Sequence, residues 1–206
     1  MMTLSEAEKV LSAVFQSADR RTYLPPVPGA PIVFLDFDGV LNADTTAALP
    51  WSLHTPYYIQ IQKRVFGLDA TMVRRVNRLC AVTGAKVVLS TSWAHPGAWD
   101  AEGAEAILRY FGFDGEVVGR TERRMNIARA WEIEQWLQTH APCPYVILDD
   151  DEHDQLKRVK DRPWIRGRWV QTTTRYGLTD PETEQAIRIL REQMAAVEQK
   201  AREEAA

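Results

Sequence analysis

The sequence predicts an α/β fold in which a mostly parallel sheet carries helices on both faces. Three short apolar runs, typical of strands buried on both sides, begin at positions 32, 85 and 145. Segments with helical periodicity separate these runs, and this alternation is typical of parallel α/β sheets. The runs end in Asp36-Phe-Asp38, Ser90-Thr-Ser92 and Asp149-Asp150-Asp151. Because ligand sites of such sheets lie beyond the carboxyl ends of the strands, the sequence predicts a site where these three ends converge.

The chain divides into four predicted parts. A capping box at Thr3-Leu-Ser-Glu6 and the apolar spacing that follows predict a helix to about position 19. A proline-rich stretch then predicts a stiff linker. We therefore expect an N-terminal helix within 1–24, a linker at 25–31, a catalytic core at 32–180 and a C-terminal helix at 181–206 that packs on the core and frays at its end.

Periodicity and turn residues predict the elements of the core in order. The first strand occupies positions 32–35, and residues 43–70 are expected to form loops with a short strand or hairpin. Helices are predicted at 71–83, 102–111 and 126–140, and strands at 85–89, 117–118, 145–148 and 169–172. Pro181 is suited to the first turn of the last helix.

The composition indicates a soluble globular protein. Its 206 residues are 45% hydrophobic and 26% charged, and the formal net charge of −3 provides no overall basic field for nucleic acid. Cys80 and Cys143 match no metal or redox spacing and are expected to be reduced packing residues. No apolar run approaches the ~18 residues of a membrane span. The sequence therefore predicts a cytoplasmic protein without membrane contact.

Two aspartates at the end of the first strand carry the most information. Asp36 and Asp38 occupy alternate positions and would point to the same side of a strand. Like charges this close are costly unless a cation or a shared proton relieves them. An acidic turn is the alternative interpretation, but buried acids are rare unless they are paired or bound to metal.

These motifs resemble, in order, the four motifs of the haloacid dehalogenase-like (HAD) superfamily. The first is Asp36-Phe-Asp38-Gly39 after an apolar strand, the second is the run 87–92, and the fourth is the run 145–150. The third is a basic residue at a helix start, for which Arg129 is favoured over Arg123 and Arg124. The resemblance covers roughly residues 30–180 and implies a Rossmann-like fold.

The resemblance implies hydrolysis of a phosphate monoester through an aspartyl-phosphate. Asp36 is the implied nucleophile, and Asp38 is the implied acid and base. A carboxylate that attacks a phosphate dianion needs a cation between them, and Mg²⁺ prefers hard oxygen ligands. The implied magnesium ligands are Asp36, Asp150, Asp149 and the backbone carbonyl of Asp38. In family members that use the intermediate for ion pumping, Thr replaces Asp38, so Asp38 favours a phosphatase.

Other site assignments remain open. Thr91 is the favoured phosphate-binding hydroxyl, with Ser90 and Ser92 as alternatives and Ser92 as a substrate contact. Arg129 is the favoured cation that neutralises developing charge. Arg123 and Arg124 are alternatives for that role and candidate substrate contacts, and a solvated helix start is the non-functional interpretation of all three arginines. Asp151 and Asp154 could be ligands, but surface positions are favoured.

The closest resemblance is to the HAD domain of Swiss-army-knife RNA-repair proteins and to polynucleotide phosphatases. It depends on the runs 34–42, 89–93, 132–137, 146–150 and 177–179. About 45 residues separate Asn42 from Val87, and about 36 separate Ser92 from Arg129. Neither interval is long enough for a typical folded cap domain. A capless, open site favours a phosphorylated polymer, and the substrate we expect is a nucleic-acid end, with a 3′-phosphate favoured.

Aromatic and basic residues near the motifs fit that substrate. Stacking on bases is one interpretation of five loop aromatics, although packing around the crevice is favoured: Trp51, Tyr57, Tyr58, Trp93 and Trp99. Arg120, Arg123, Arg124 and the basic stretch 157–168 could hold a phosphate backbone, although an ordinary charged surface is favoured for the stretch. The alternative functions are a nucleotide or phosphoprotein phosphatase and, less favoured, a non-catalytic module that binds partners through its terminal helices.

Overall fold

The computed structural model describes residues 29–44, 59–61, 64–66, 68–94, 101–122, 128–151 and 155–205. The predicted N-terminal helix and most of the proline-rich linker lie outside these residues.

The described part of the chain contains seven strands. They are β1 (Ile32–Leu35), β2 (Ile59–Ile61), β3 (Arg64–Phe66), β4 (Lys86–Leu89), β5 (Val117–Arg120), β6 (Tyr145–Asp149) and β7 (Trp169–Gln171). Five of them form a sheet in the order β5-β4-β1-β6-β7, and every neighbouring pair in it is parallel. β2 and β3 form a separate antiparallel pair within the segment 43–70, for which the sequence predicts loops with a short strand or hairpin. The predicted α/β class with a parallel sheet is confirmed.

The described residues form four α-helices. They are α1 (Ala70–Thr83), α2 (Ala101–Tyr110), α3 (Arg129–Thr139) and α4 (Asp180–Glu204). The Asp69 carboxylate caps α1 by accepting a hydrogen bond of 2.7 Å from the Thr71 N–H, and a capping box at Thr179 begins α4. The helix predicted from position 126 begins at Arg129, because Ala128 has an extended backbone. Among the described residues, no helix combines the length and apolar character that crossing a membrane requires.

The sheet separates two hydrophobic clusters. Alternate residues of β1 point to opposite faces, as the strand period of two requires. Val33 and Leu35 belong to the cluster that contains buried residues of α1, α2 and α4. Ile32 and Phe34 belong to the cluster that contains buried residues of α3 and of the segment between β6 and β7. We call residues 155–168 of that segment the crossover. Helices therefore cover both faces of the sheet, as predicted.

The strand order creates a switch point at the centre of the sheet. From β1 the chain moves outward through β4 to β5, and it then returns to the other side of β1 to form β6 and β7. β1 and β6 are thus direct neighbours, with Leu35 opposite Leu148. A ligand crevice is expected beyond the carboxyl ends of the strands at such a reversal. Asp36 and Asp149 lie at these two ends.

Candidate active site

Three carboxylates converge at the ends of β1 and β6. Asp36 follows β1, Asp149 ends β6 and Asp150 follows it. One oxygen from each of the three lies within 4.8 Å of the others. Asp36 and Asp149 are buried, and Asp150 is partly buried. The structure therefore brings together the three carboxylates that the sequence assigned to metal binding.

Backbone N–H groups hold the two buried carboxylates. The Phe37 N–H donates to Asp36 Oδ1 at 2.7 Å, and the Asp151 N–H donates to Asp149 Oδ1 at 2.7 Å. The second oxygen of each carboxylate lies near Arg129, with Asp36 Oδ2 at 3.5 Å from Nη2 and Asp149 Oδ2 at 4.0 Å from Nη1. One guanidinium group thus lies beside both acids.

Arg129 occupies the first position of α3 and contacts three parts of the site. Its Nη1 also donates to Ser90 Oγ at 3.4 Å, beyond the end of β4. Its backbone N–H donates to the side-chain carbonyl of Gln155, at the start of the crossover. The structure therefore places the favoured motif-three cation beside Asp36. The alternatives Arg123 and Arg124 lie outside the described residues.

Burial and mutual repulsion alter the charge state of this cluster. Burial raises the pKa of Asp36, and the Arg129 guanidinium opposes this shift. Burial and the neighbouring Asp36 raise the pKa of Asp149 to about 8, again against the effect of Arg129. Burial would lower the pKa of Arg129, but the surrounding acids, with Asp36 and Asp149 foremost, together outweigh it, so the pKa is raised. The cluster therefore favours a bound cation or a retained proton.

The donor set fits Mg²⁺. All three groups supply hard carboxylate oxygens, and opposite ligands of an octahedral magnesium ion lie about 4.2 Å apart. This separation falls within the 4.8 Å that encloses the oxygens of Asp36, Asp149 and Asp150. Gly39 also makes room for one ligand, since a Cβ atom there would lie 2.1 Å from Asp150 Oδ2. These three side chains could hold the ion, whereas Asp38 was assigned to it only through its backbone carbonyl.

The Asp38 side chain is held by a separate set of donors. Asn42 Nδ2 donates to Oδ1 at 2.9 Å, and Trp93 Nε1 donates to Oδ2 at 2.9 Å. Asn42 Oδ1 in turn accepts from the Gly39 N–H at 3.0 Å. Both oxygens of the predicted acid and base are therefore oriented. The sequence interpretation included Asn42 and Trp93 in motifs but assigned neither to Asp38.

Trp93 is not available as a base-stacking platform. Its side chain is 3% exposed and packs edge-on against Phe37, with ring centroids 5.5 Å apart. The stacking interpretation is therefore wrong for this residue, and the favoured packing interpretation is right. The other four candidate aromatics, Trp51, Tyr57, Tyr58 and Trp99, lie outside the described residues.

The three hydroxyls after β4 occupy different positions. The Thr91 side chain hydrogen-bonds to Asp36 and slightly opposes the rise that burial causes in the pKa of that carboxyl. Its Oγ1 also accepts from the Trp93 N–H at 3.3 Å. Ser90 is buried beside Arg129, and Ser92 is partly buried at the start of a 3₁₀ turn. The contact between Thr91 and Asp36 agrees with the choice of Thr91, and the roles of all three hydroxyls stay predictions.

Asp151 has a structural role that the sequence interpretation missed. It was expected at the surface, but it is buried, with a backbone φ of 53°. Its two carboxylate oxygens accept from the backbone N–H groups of Leu156 at 2.8 Å and Lys157 at 2.9 Å. The surface prediction for Asp151 is wrong, because this carboxylate fixes the start of the crossover. Asp154 lies outside the described residues.

Arg120 also makes a structural contact. It was a candidate for phosphate-backbone binding, and its Nη1 donates to the backbone carbonyl of Ala94 at 2.8 Å. This hydrogen bond braces the turn that carries Trp93.

A five-stranded Rossmann-like sheet with acids at the ends of two central, adjacent strands is consistent with a domain of the HAD superfamily. The family model described as the HAD domain in Swiss Army Knife RNA repair proteins matches residues 32–183, and the chain belongs to this family. Comparisons with curated proteins and with solved structures gave no significant match. The family resemblance inferred from the motifs is confirmed, and membership implies phosphatase-type hydrolase activity.

Proposed function

We propose that this protein is a Mg²⁺-dependent phosphomonoesterase that acts on nucleic-acid ends, with 3′-phosphates favoured, through an aspartyl-phosphate on Asp36. The observation that carries the proposal is the convergence of Asp36, Asp149 and Asp150 beside Arg129 at the switch point of the sheet. Bound at the three carboxylates, Mg²⁺ would neutralise charge on the nucleophile and on the phosphoryl group.

The first proposed step transfers the phosphoryl group to the protein. Asp36 attacks phosphorus with one carboxylate oxygen, and the bond from phosphorus to the leaving oxygen breaks. Asp38 gives its proton to that oxygen. Arg129 and the Thr91 hydroxyl lie beside Asp36 and would hold phosphoryl oxygens as negative charge develops.

The second proposed step releases phosphate. Asp38, now a carboxylate, takes a proton from water as the water oxygen attacks phosphorus. The acyl-phosphate bond breaks, and Asp36 returns to its starting carboxylate. The hydrogen bonds from Asn42 and Trp93 support this double role, because they fix the Asp38 carboxyl in one orientation.

The nucleic-acid end is supported by family membership and by the spacing of the motifs. The family model describes domains of RNA repair proteins. The short intervals between the motifs favour a site that a polymer end can enter. The runner-up functions, a nucleotide or a phosphoprotein phosphatase, use the same residues and differ only in substrate.

A substrate panel with one variant pair tests the proposal. Phosphate release is measured with Mg²⁺ or EDTA from an aryl phosphate, 3′- and 5′-phosphorylated oligonucleotides, mononucleotides and a phosphopeptide. We expect magnesium-dependent release that is fastest from the 3′-phosphorylated oligonucleotide. Asp36→Asn should lower kcat by about a thousandfold or more, whereas Asp114→Asn, a change at an exposed aspartate, should not affect it.

The outcomes distinguish an error in the proposed reaction from an error in the proposed substrate. No magnesium-dependent release from any compound would refute the phosphatase, and full activity of Asp36→Asn would refute the nucleophile. Equal rates on mononucleotides and oligonucleotides would remove the preference for a polymer. Acid quenching should trap a hydroxylamine-sensitive phosphoryl label on the wild-type protein but not on Asp36→Asn.

A further inference from the structure

We propose that the crossover carries a basic strip that binds the sugar–phosphate backbone of the nucleic acid whose phosphorylated end enters the Asp36 site. We define the basic strip as Lys157, Arg158, Lys160, Arg162 and Arg166. This proposal rests on the proposed function, and it adds a second contact surface outside the reacting group.

Positive charge is concentrated in the crossover against the trend of the chain. Residues 155–168 contain six basic residues and one acid, although the whole chain has a net charge of −3. The five residues of the strip are exposed. The sixth, Arg168, is excluded because its Nη1 donates to the Tyr145 hydroxyl at 2.8 Å and its guanidinium lies over that ring. A local patch on an acidic protein is the electrostatic footprint expected for a polyanion.

Among the described residues, most cations of the strip are not neutralised by acids, and Arg166 donates only to the backbone carbonyl of Asp161, at 3.1 Å. Arg162 lies 3.6 Å from Glu134 of α3. Arg158 and Lys160, by contrast, form no ion pair within the described part of the chain. Lys and Arg side chains that neutralise phosphates release the counterions condensed on the nucleic acid, so binding through such residues depends on salt. Arg158 and Lys160, at the end of the strip nearer to the active site, are therefore the best test of backbone binding.

The start of the strip is fixed to the active site. The Asp151 carboxylate accepts from the backbone N–H groups of Leu156 and Lys157, and it lies directly after the ligand candidates at the end of β6. The side chain of Gln155 accepts from the backbone N–H of Arg129. The strip therefore begins next to the groups that would hold the terminal phosphate.

The crossover also has a buried underside. Leu156 and Ile165 belong to the hydrophobic cluster formed with α3. They hold both ends of the segment against the sheet, so its exposed cations lie on a supported surface. Because β7 is parallel to β6, the crossover must run from the carboxyl edge of the sheet back to its opposite edge. A backbone that follows the strip would lead away from the reacting end.

The experiment compares two double variants with the same change in charge. R158Q/K160Q removes two cations of the strip. R188Q/R191Q removes two exposed cations of α4, the helix that packs on the other face of the sheet. Each is tested for hydrolysis of a 3′-phosphorylated single-stranded RNA and an aryl phosphate. Binding of the RNA, and of a phosphopeptide, is measured by fluorescence anisotropy in an Asp36→Asn background over a range of salt concentrations.

We expect R158Q/K160Q to weaken RNA binding about tenfold at low salt and to reduce the slope of log K against log salt by about 1.4, the value for two contacts to a single strand. The ratio of kcat/KM on RNA to kcat/KM on the aryl phosphate should also fall in R158Q/K160Q. R188Q/R191Q should match the wild type in all three measurements, and thermal unfolding should show that both variants are folded.

Equal RNA binding by the two double variants would overturn the strip, even if RNA remains the best substrate. Salt-independent RNA binding, or tighter binding of the phosphopeptide than of the RNA, would also overturn it. If R158Q/K160Q weakens RNA binding while no phosphorylated RNA is hydrolysed, the strip stands and the proposed substrate fails.

Discussion

Substitution of Gly39 by alanine should damage both the fold and the proposed metal site. Gly39 follows Asp38 with a backbone φ of +67°, a region that L-residues with a Cβ rarely adopt. A Cβ atom there would lie 2.1 Å from Asp150 Oδ2 and 2.7 Å from its Cβ. Because the Asp150 Cβ cannot rotate away, relief of this clash requires the backbone or the whole Asp150 side chain to shift.

Two costs contribute to the expected loss of stability. The left-handed conformation costs a non-glycine residue about 1–2 kcal/mol. Forcing extra atoms into a packed site costs about 1–3 kcal/mol more. Gly39→Ala should therefore lower the free energy of unfolding by about 2–5 kcal/mol.

Gly84 provides a matched control for the first cost alone. It ends α1 with a φ of +69°, and a Cβ atom there would meet nothing within 4 Å. Gly84→Ala should therefore cost only about 1–2 kcal/mol. The difference between the unfolding free energies of the two variants therefore measures the cost of the clash with Asp150.

Urea unfolding in EDTA measures both free energies, and thermal unfolding over a magnesium titration measures binding. The wild type and Gly84→Ala should gain thermal stability with added Mg²⁺. Gly39→Ala should lose most of that gain, because its Asp150 carboxylate is displaced. Equal unfolding free energies for the two variants would refute the conclusion that Gly39 leaves room for the Asp150 side chain. An undiminished stabilisation of Gly39→Ala by magnesium would refute it as well.

Three further predictions follow from single contacts. Trp93→Phe removes the indole donor to Asp38 and keeps an aromatic ring. Because a hydrogen bond to a charged group is lost, kcat should fall about tenfold or more, with little change in KM. An unchanged kcat would contradict the role of Trp93 in orienting Asp38. Burial raises the pKa of Asp149 in the folded state to about 8, whereas its pKa in the unfolded chain is about 3.9. Between these two values, the folded state without metal retains a proton that the unfolded chain loses. Its free energy of unfolding should therefore fall as pH rises from about 4 to about 8, and urea unfolding in EDTA should show a smaller fall in Asp149→Asn; a rise in the wild type over this range would contradict the shift. Asp151→Ala removes the acceptor for two backbone N–H groups, so urea unfolding should show a loss of about 1–3 kcal/mol in the free energy of unfolding. A loss below roughly 0.5 kcal/mol, the effect of an ordinary surface change, would contradict the role of Asp151 in fixing the start of the crossover.

The carboxylate cluster was predictable because sheet topology imposes it. Parallel strands expose their carboxyl ends at one edge, so acids that end separate strands meet there whatever their spacing in sequence. Asp36, Asp149 and Asp150 are therefore predicted to lie together from the strand pattern alone, with the hydroxyls of the run 90–92 at the same edge.

The contacts within that edge were not predictable in the same way. Whether Trp93 faces solvent or donates to Asp38 depends on the turn after β4, which the apolar pattern does not specify. Asp151 adopts a positive φ that directs its carboxylate to the crossover, and the three consecutive acids at 149–151 give no signal that separates it from its neighbours. The start of α3 was predicted three residues early, because the extended Ala128 is a residue that favours helices.

The pairing of β1 with β6 has a consequence for the order in which the protein becomes functional. More than one hundred residues separate Asp36 from Asp149, although their strands are adjacent. During synthesis β1, β4 and β5 can emerge while β6 is still untranslated. That portion carries Asp36, the proposed nucleophile, and the hydroxyls of the run 90–92, but neither Asp149 nor Asp150. Closure of the long loop is a slow, non-local event. Magnesium affinity is therefore expected to arise in one late step, when β6 docks, so a nascent or truncated chain that ends before β6 would not assemble the reactive centre.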